Sequence, residues 1–182
     1  GKLEKYDWLH LHHEDFTGQY GKFYRSHRNA KWYKDQQKQF QNMATTLGYS
    51  TVHKHKKAMT RKIKNYVKNG GFLFAMCSAT DSYDIALAMG ETDGVDYVFD
   101  GTPIDPNAQA KLDFTQCFAF ENFTILSDPM VYEFSDIDFP PSHNPITKGA
   151  KADYFSLFEF SAKYDPVPTM LTQNHVPIIK GF

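Results

Sequence analysis

Apolar positions along the chain fall into runs of two periods. Tyr6 to His12 carries Trp8, Leu9 and Leu11 between polar neighbours and predicts a strand, closed by the polar cluster His12-His13-Glu14-Asp15. From Lys31 to Leu47, Tyr33, Phe40, Met43, Ala44 and Leu47 recur at three- and four-residue steps, which predicts a helix stopped by Gly48. From Thr51 to Asn69, Val52, Met59, Ile63, Tyr66 and Val67 form a second helical stripe, ended by Gly70-Gly71. The continuous run Phe72–Met76 then predicts a buried strand, followed by a small-residue turn at Cys77 and a helix over 81–89 carrying Ile85, Ala86, Leu87 and Met89. Ser78, Thr80 and Asp81 each offer an oxygen to cap that helix.

Between these runs lie less regular stretches. The segment 16–30 is a long loop, punctuated by Gly18 and Gly21 and dense in Tyr, Phe, Arg and His. Residues 90–107 are loop-rich, 118–126 read as a strand, 128–152 as irregular, and 154–160 as a further strand. The order strand, helices, strand, helix, strands predicts a single α/β domain built on a mostly parallel sheet. In such sheets the functional crevice lies beyond the carboxyl ends of the strands. Both polar clusters, His12 to Asp15 and Cys77-Ser78, stand at such ends, so they share one edge if the two strands are parallel neighbours.

Composition sharpens this only in places. A length of 182 residues fits one domain, and no run of apolar residues is long enough for a membrane span. The net charge of −1 conceals a split. Residues 22–68 hold 13 Lys or Arg and a single acid, Asp35, whereas 81–165 hold 16 acids and four Lys. Either the basic helices 31–69 dock an acidic protein partner, or their lysines are solvated faces matched by the acidic half. No nucleic-acid motif accompanies the charge, so nucleic acid is not expected as a partner. The chain opens without methionine and reads as an internal portion of a longer one; its compartment is left open.

The candidate chemistry centres on Cys77. A cysteine nucleophile needs a favoured thiolate, a nearby base and donors for an oxyanion. The helix start after Cys77 supplies the dipole, and the Ser78 N–H one oxyanion donor. His12, His13 and His175 are candidate bases, Glu14 a candidate orienting acid, and His13 and Asp15 candidate binding groups. The ligand expected is a small amide or similar carbonyl compound. The alternative is that Cys77 is simply a small residue at a tight turn. His10, His12 and the adjacent carboxylates suit zinc or iron, but no spaced partner motif accompanies them. Neither a metal nor another cofactor is therefore expected. The two cysteines, Cys77 and Cys117, lack CxxC spacing, and a disulfide between them is not expected. The rings of 20–25 either stack on a ligand or pin the loop to the body.

The stretches Trp8-Leu9-His10-Leu11-His12-His13-Glu14-Asp15-Phe16-Thr17-Gly18-Gln19-Tyr20-Gly21-Lys22-Phe23, Phe74-Ala75-Met76-Cys77-Ser78-Ala79-Thr80-Asp81-Ser82 and Pro168-Thr169-Met170-Leu171-Thr172-Gln173-Asn174-His175 resemble a bacterial family labelled asparagine synthetase B. The segment around Cys77 is similar to the nucleophile elbow of class I glutamine amidotransferase-like domains. That resemblance implies a three-layer flavodoxin-like fold and a Cys-dependent amide hydrolase or amidotransferase with Cys77 as nucleophile. The pattern there is Gly-x-Cys-x-Gly, and this chain has Ala75 and Ala79 at the glycine positions. The superfamily's catalytic His-x-Glu pair has no counterpart after the elbow here. A non-catalytic binding or structural domain, a subunit of a larger assembly, is the alternative.

Overall fold

The computed structural model describes residues 2–137 and residue 180. Two strands, β1 (Trp8–His12) and β2 (Phe72–Met76), pair in parallel, with Trp8 opposite Phe72 and His12 opposite Met76. Five helices accompany them among the described residues: α1 (Tyr24–His27), α2 (Lys31–Thr46), α3 (Val52–Lys68), α4 (Ser78–Met89) and α5 (Tyr97–Asp100). Short 3-10 turns lie at Leu3–Lys5, Tyr20–Lys22, Gln109–Lys111 and Phe114–Gln116. The chain is thus mixed α/β, with α2 and α3 forming the crossover between two parallel strands.

Helices α2 and α3 fall where periodicity places them, within a residue or two of the expected ends. Helix α3 begins cleanly because the Thr51 hydroxyl accepts the Lys54 N–H, a cap worth about 1 kcal/mol. Helix α4 is buried almost throughout, from Ala79 and from Asp81 to Met89. It therefore has no polar stripe, as expected of a helix with packed neighbours all round. One side meets the sheet: Ala79, Tyr83, Ala86 and Leu87 pack with Leu11, Phe16 and Ile63, and Leu9, Leu73 and Ala75 join them. The other side meets the loops beyond it, where Ile85, Ala88 and Met89 pack with Cys117, Phe120, Phe123, Phe134 and Ile137. A third cluster of Tyr20, Tyr33, Ala44, Val52, Val95 and Phe99 fixes α2 and the 16–30 segment.

Four expectations are corrected. First, β2 is half-buried rather than buried. Leu73 and Ala75 face the core cluster, while Phe72, Phe74 and Met76 are exposed, as are Trp8, His10 and His12 on β1. Side chains alternate across a strand, and α3 and α4 cover one face of this sheet. Second, α4 begins at Ser78 rather than Asp81, because Cys77 itself takes the N-cap position. None of Ser78, Thr80 and Asp81 is the cap, and the Thr80 hydroxyl instead donates to the Cys77 carbonyl at 2.8 Å.

Third, 118–126 is not a strand. The backbone N–H groups of Phe118, Ala119 and Phe120 donate to the carboxylate of Asp84 on α4 at 2.7–2.9 Å, which takes those three donors away from a strand ladder. Farther on, Ile125 makes a single antiparallel bridge to Ser135. Fourth, the 16–30 segment is not simply loop, since it contains the Tyr20–Lys22 turn and α1. The strand expected over 154–160 lies outside the described residues. No helix among those described is long and apolar enough to cross a membrane.

Candidate functional site

The parallel pairing sets the geometry of the site. His12 lies opposite Met76, so the next residues, His13 and Cys77, leave the sheet side by side at its carboxyl edge. Both take positive φ, +63° at His13 and +56° at Cys77. At Cys77 this combines with ψ of −145°, a region that side chains other than glycine avoid. Of the five non-glycine residues with positive φ among those described, four are at this edge or in the loop that follows β1: His13, Tyr20, Lys22 and Cys77. Strained backbone of this kind persists only where the surroundings over-determine it.

The Cys77 thiol is exposed and unpaired, and it stands at the N-terminus of the twelve-residue α4 with no capping bond from its side chain. Cys117, the other cysteine, is buried; its thiol donates to the Asp84 carbonyl, and burial pushes its pKa up to about 12. The two thiols therefore differ sharply in accessibility.

Around the thiol edge the acids are engaged with backbone. The Asp15 carboxylate accepts the N–H of Thr17 at 2.7 Å, of Gly18 at 3.3 Å and of Gly21 at 3.0 Å, plus the Thr17 hydroxyl at 2.7 Å. It folds the loop around itself. Glu14 accepts the backbone N–H of His12. The His12 and His13 rings meet edge-to-face with centroids 3.8 Å apart. Ser82 on α4 ties the two segments together: its hydroxyl donates to the Glu14 carbonyl at 2.9 Å and accepts the Phe16 N–H at 3.3 Å. Ser78 is the first residue of α4. Hence His12, His13, Glu14, Asp15, Cys77 and Ser78 are gathered at one edge. His175 lies outside the described residues.

Beneath the loop sit groups that reading the sequence missed. Gly18, at φ +88°, lies on the backbone of His53, where an added Cβ would come within 2.8 Å of the His53 Cα. His53 is buried, and its Nδ1 donates to the Thr17 carbonyl at 2.6 Å. Burial foremost, and then the nearby Lys57 ammonium, hold its pKa below the ordinary histidine value. Lys57 donates to the Thr92 carbonyl at 2.7 Å, and Lys22 to the Leu126 and Asp128 carbonyls at 2.8 Å each. Burial lowers both ammonium groups to about 8. The helical stripe of α3 was legible, but nothing in the pattern distinguished these lysines from their solvated neighbours.

The rings of 20–25 behave as anchors in part. Tyr20 stacks on Phe40 and is buried, while Phe23 meets His27, Trp32 and Tyr132 and keeps an exposed edge. Among the described residues, no group of three or more His, Cys, Asp or Glu side chains is arranged to hold a metal ion. No protein-family model, curated protein or solved structure matches the chain.

Proposed function

We propose that this chain is a class I glutamine amidotransferase-like domain of the family labelled asparagine synthetase B, with an elbow thiol acting on an amide or similar carbonyl. In this reading β1 and β2 are neighbouring strands of a three-layer flavodoxin-like sheet. The observation that carries it is the backbone of Cys77, at φ +56° and ψ −145° between a strand and a buried helix. A strained strand-to-helix turn is how α/β hydrolytic enzymes expose a nucleophile. The turn needs no flanking glycine here, because the strain falls on the cysteine itself while Ala79 packs completely.

The steps follow from the residues at the edge. His12 or His13 takes the thiol proton. The thiolate then attacks the carbonyl carbon, and the amide nitrogen leaves as the amine after accepting that proton. The Ser78 N–H, at the start of α4, stabilises the oxyanion together with the helix dipole. Water or an amine acceptor then releases the acyl group. His175 is a further candidate base in this reading.

A second reading, a non-catalytic domain serving as a subunit of an assembly, draws on two other observations. Glu14 is engaged by the backbone of His12, and α2 and its C-cap expose Trp32, Met43 and Leu47 on one side and Lys34 and Lys38 on another. The exposed lysines suit an acidic protein partner.

Alkylation by iodoacetamide, followed as a function of pH, separates the two. The expected result is that Cys77 is modified at mildly acidic pH faster than an ordinary exposed thiol. Modification should be lost in Cys77→Ser, with Cys117 protected. Modification of Cys77 no faster than an ordinary thiol removes the catalytic reading and leaves the second.

A further inference from the structure

A cleft of about 290 Å³ opens beside the thiol edge, between the His12–Asp15 segment, the Gly18–Phe23 loop and helices α2 and α3. Its lining includes His13, Glu14, Asp15, Gln36, Phe40 and Lys56, but not Cys77. The charged groups in it are unequally served. Asp15 already accepts four donors, and Glu14 accepts the His12 N–H. Lys56, by contrast, has no acidic partner and no protein hydrogen-bond acceptor among the described residues. Its ammonium lies over the Phe40 ring at 5.0 Å and the Phe16 ring at 5.9 Å. Rings hold a cation in place without neutralising it. The Gln36 Oε1 is buried and has no donor among the described residues.

A free ammonium, an unserved amide oxygen and an aromatic wall in one cleft define a complementary ligand. We propose that this cleft binds a small organic carboxylate that also carries an O–H or N–H donor. Lys56 holds the carboxylate and Gln36 Oε1 accepts the donor. A planar body lies against the Phe40 and Phe23 side of the cleft. The engaged carboxylates of Glu14 and Asp15 oppose a second negative charge, which favours a monoanion over a phosphate ester. The proposal stands on the cleft alone and holds whether or not Cys77 is reactive.

The test is calorimetric titration of the chain with 4-hydroxybenzoate as probe, with 4-hydroxybenzyl alcohol as the analogue lacking the carboxylate and inorganic phosphate as the competing anion. Wild-type protein should bind the probe saturably, with Kd of about 1 mM or below, as suits a ligand of this size. Lys56→Gln should weaken binding by about tenfold or more, the loss expected for a charge-assisted hydrogen bond. Lys54→Gln, on the exposed side of the same helix turn, should leave it unchanged. The alcohol and phosphate should each bind at least about tenfold more weakly than the probe. Amide shifts of wild-type protein during the same titration should move at Gly18, Gly21 and the Gln36 side chain, a readout that does not depend on any variant folding. Absence of saturable binding, equal affinity in Lys56→Gln, tighter binding of phosphate, or shifts confined to another region would each overturn the proposal.

Discussion

At Cys77 the backbone takes a conformation that glycine enters freely and cysteine does not. The cost of such a residue is of order 1–3 kcal/mol. It is sustained because β2 and the buried helix α4 fix the chain on both sides of the turn. This makes a direct prediction. Cys77→Gly and Cys77→Ala both remove the thiol, but only glycine removes the strain. The glycine variant should be the more stable by about 1 kcal/mol, read as a thermal midpoint a few degrees above that of the alanine variant. Equal midpoints would mean that the turn is unstrained. The aromatic and small residues on each side made the turn legible in advance. The strain itself was not, because a sequence does not say which residue of a tight turn takes the positive φ.

At the scale of elements, alternation decides what each strand residue does. Leu11 is buried against α3 and α4, while Phe74 is exposed on the opposite face of the same sheet. Leu11→Ala should cost about 2–4 kcal/mol, because the cavity it leaves is closed in by packed neighbours. Phe74→Ser should cost under about 1 kcal/mol in the same denaturation series. Comparable losses would show that the outer face is covered in solution. The strands and long helices were readable because periods of two and 3.6 survive in the pattern. The segment 118–126 was misread for a physical reason. Its apolar residues pack on α4 as a strand's would, but the amides of Phe118, Ala119 and Phe120 bond to one carboxylate, Asp84, and those of Thr124 and Ile125 to the Asp136 and Gln109 side chains. The two acids of α4, Asp81 and Asp84, both buried, were the available signal. Burial raises the Asp84 pKa, and the three amide donors oppose that rise.

Across the whole molecule, buried lysines join distant parts of the chain. Lys22 ties the loop after β1 to residues 126 and 128, and Lys57 ties α3 to residue 92. Each has a folded pKa of about 8 against an ordinary value of 10.5. Between those two values the unfolded chain binds more protons than the folded one, so stability rises with pH. The slope should reach up to about 1.4 kcal/mol per pH unit for each lysine. Urea denaturation between pH 8 and 9 should show this rise, and Lys57→Met should reduce it; above that window the raised pKa values of Cys117, Tyr20, Tyr33 and Tyr83 pull stability the other way. A flat or falling profile would contradict the burial of these charges. The basic excess of 22–68 is therefore partly internal: Lys22 and Lys57 are buried, and Arg61 pairs with Glu91 at 3.2 Å.

The sequence by itself determined the parts that depend on neighbours a few residues away. These are two strands, three long helices, the turn at Cys77 and the α/β class, because local periodicity and turn chemistry decide them. Tertiary structure decided which parts meet. The parallel register set His13 beside Cys77, the contact of Gly18 with His53 seated the loop, and burial turned two of thirteen basic residues into internal clamps. Those outcomes depend on groups dozens of residues apart sharing a small volume. Nothing in a linear pattern encodes that proximity until the chain is folded.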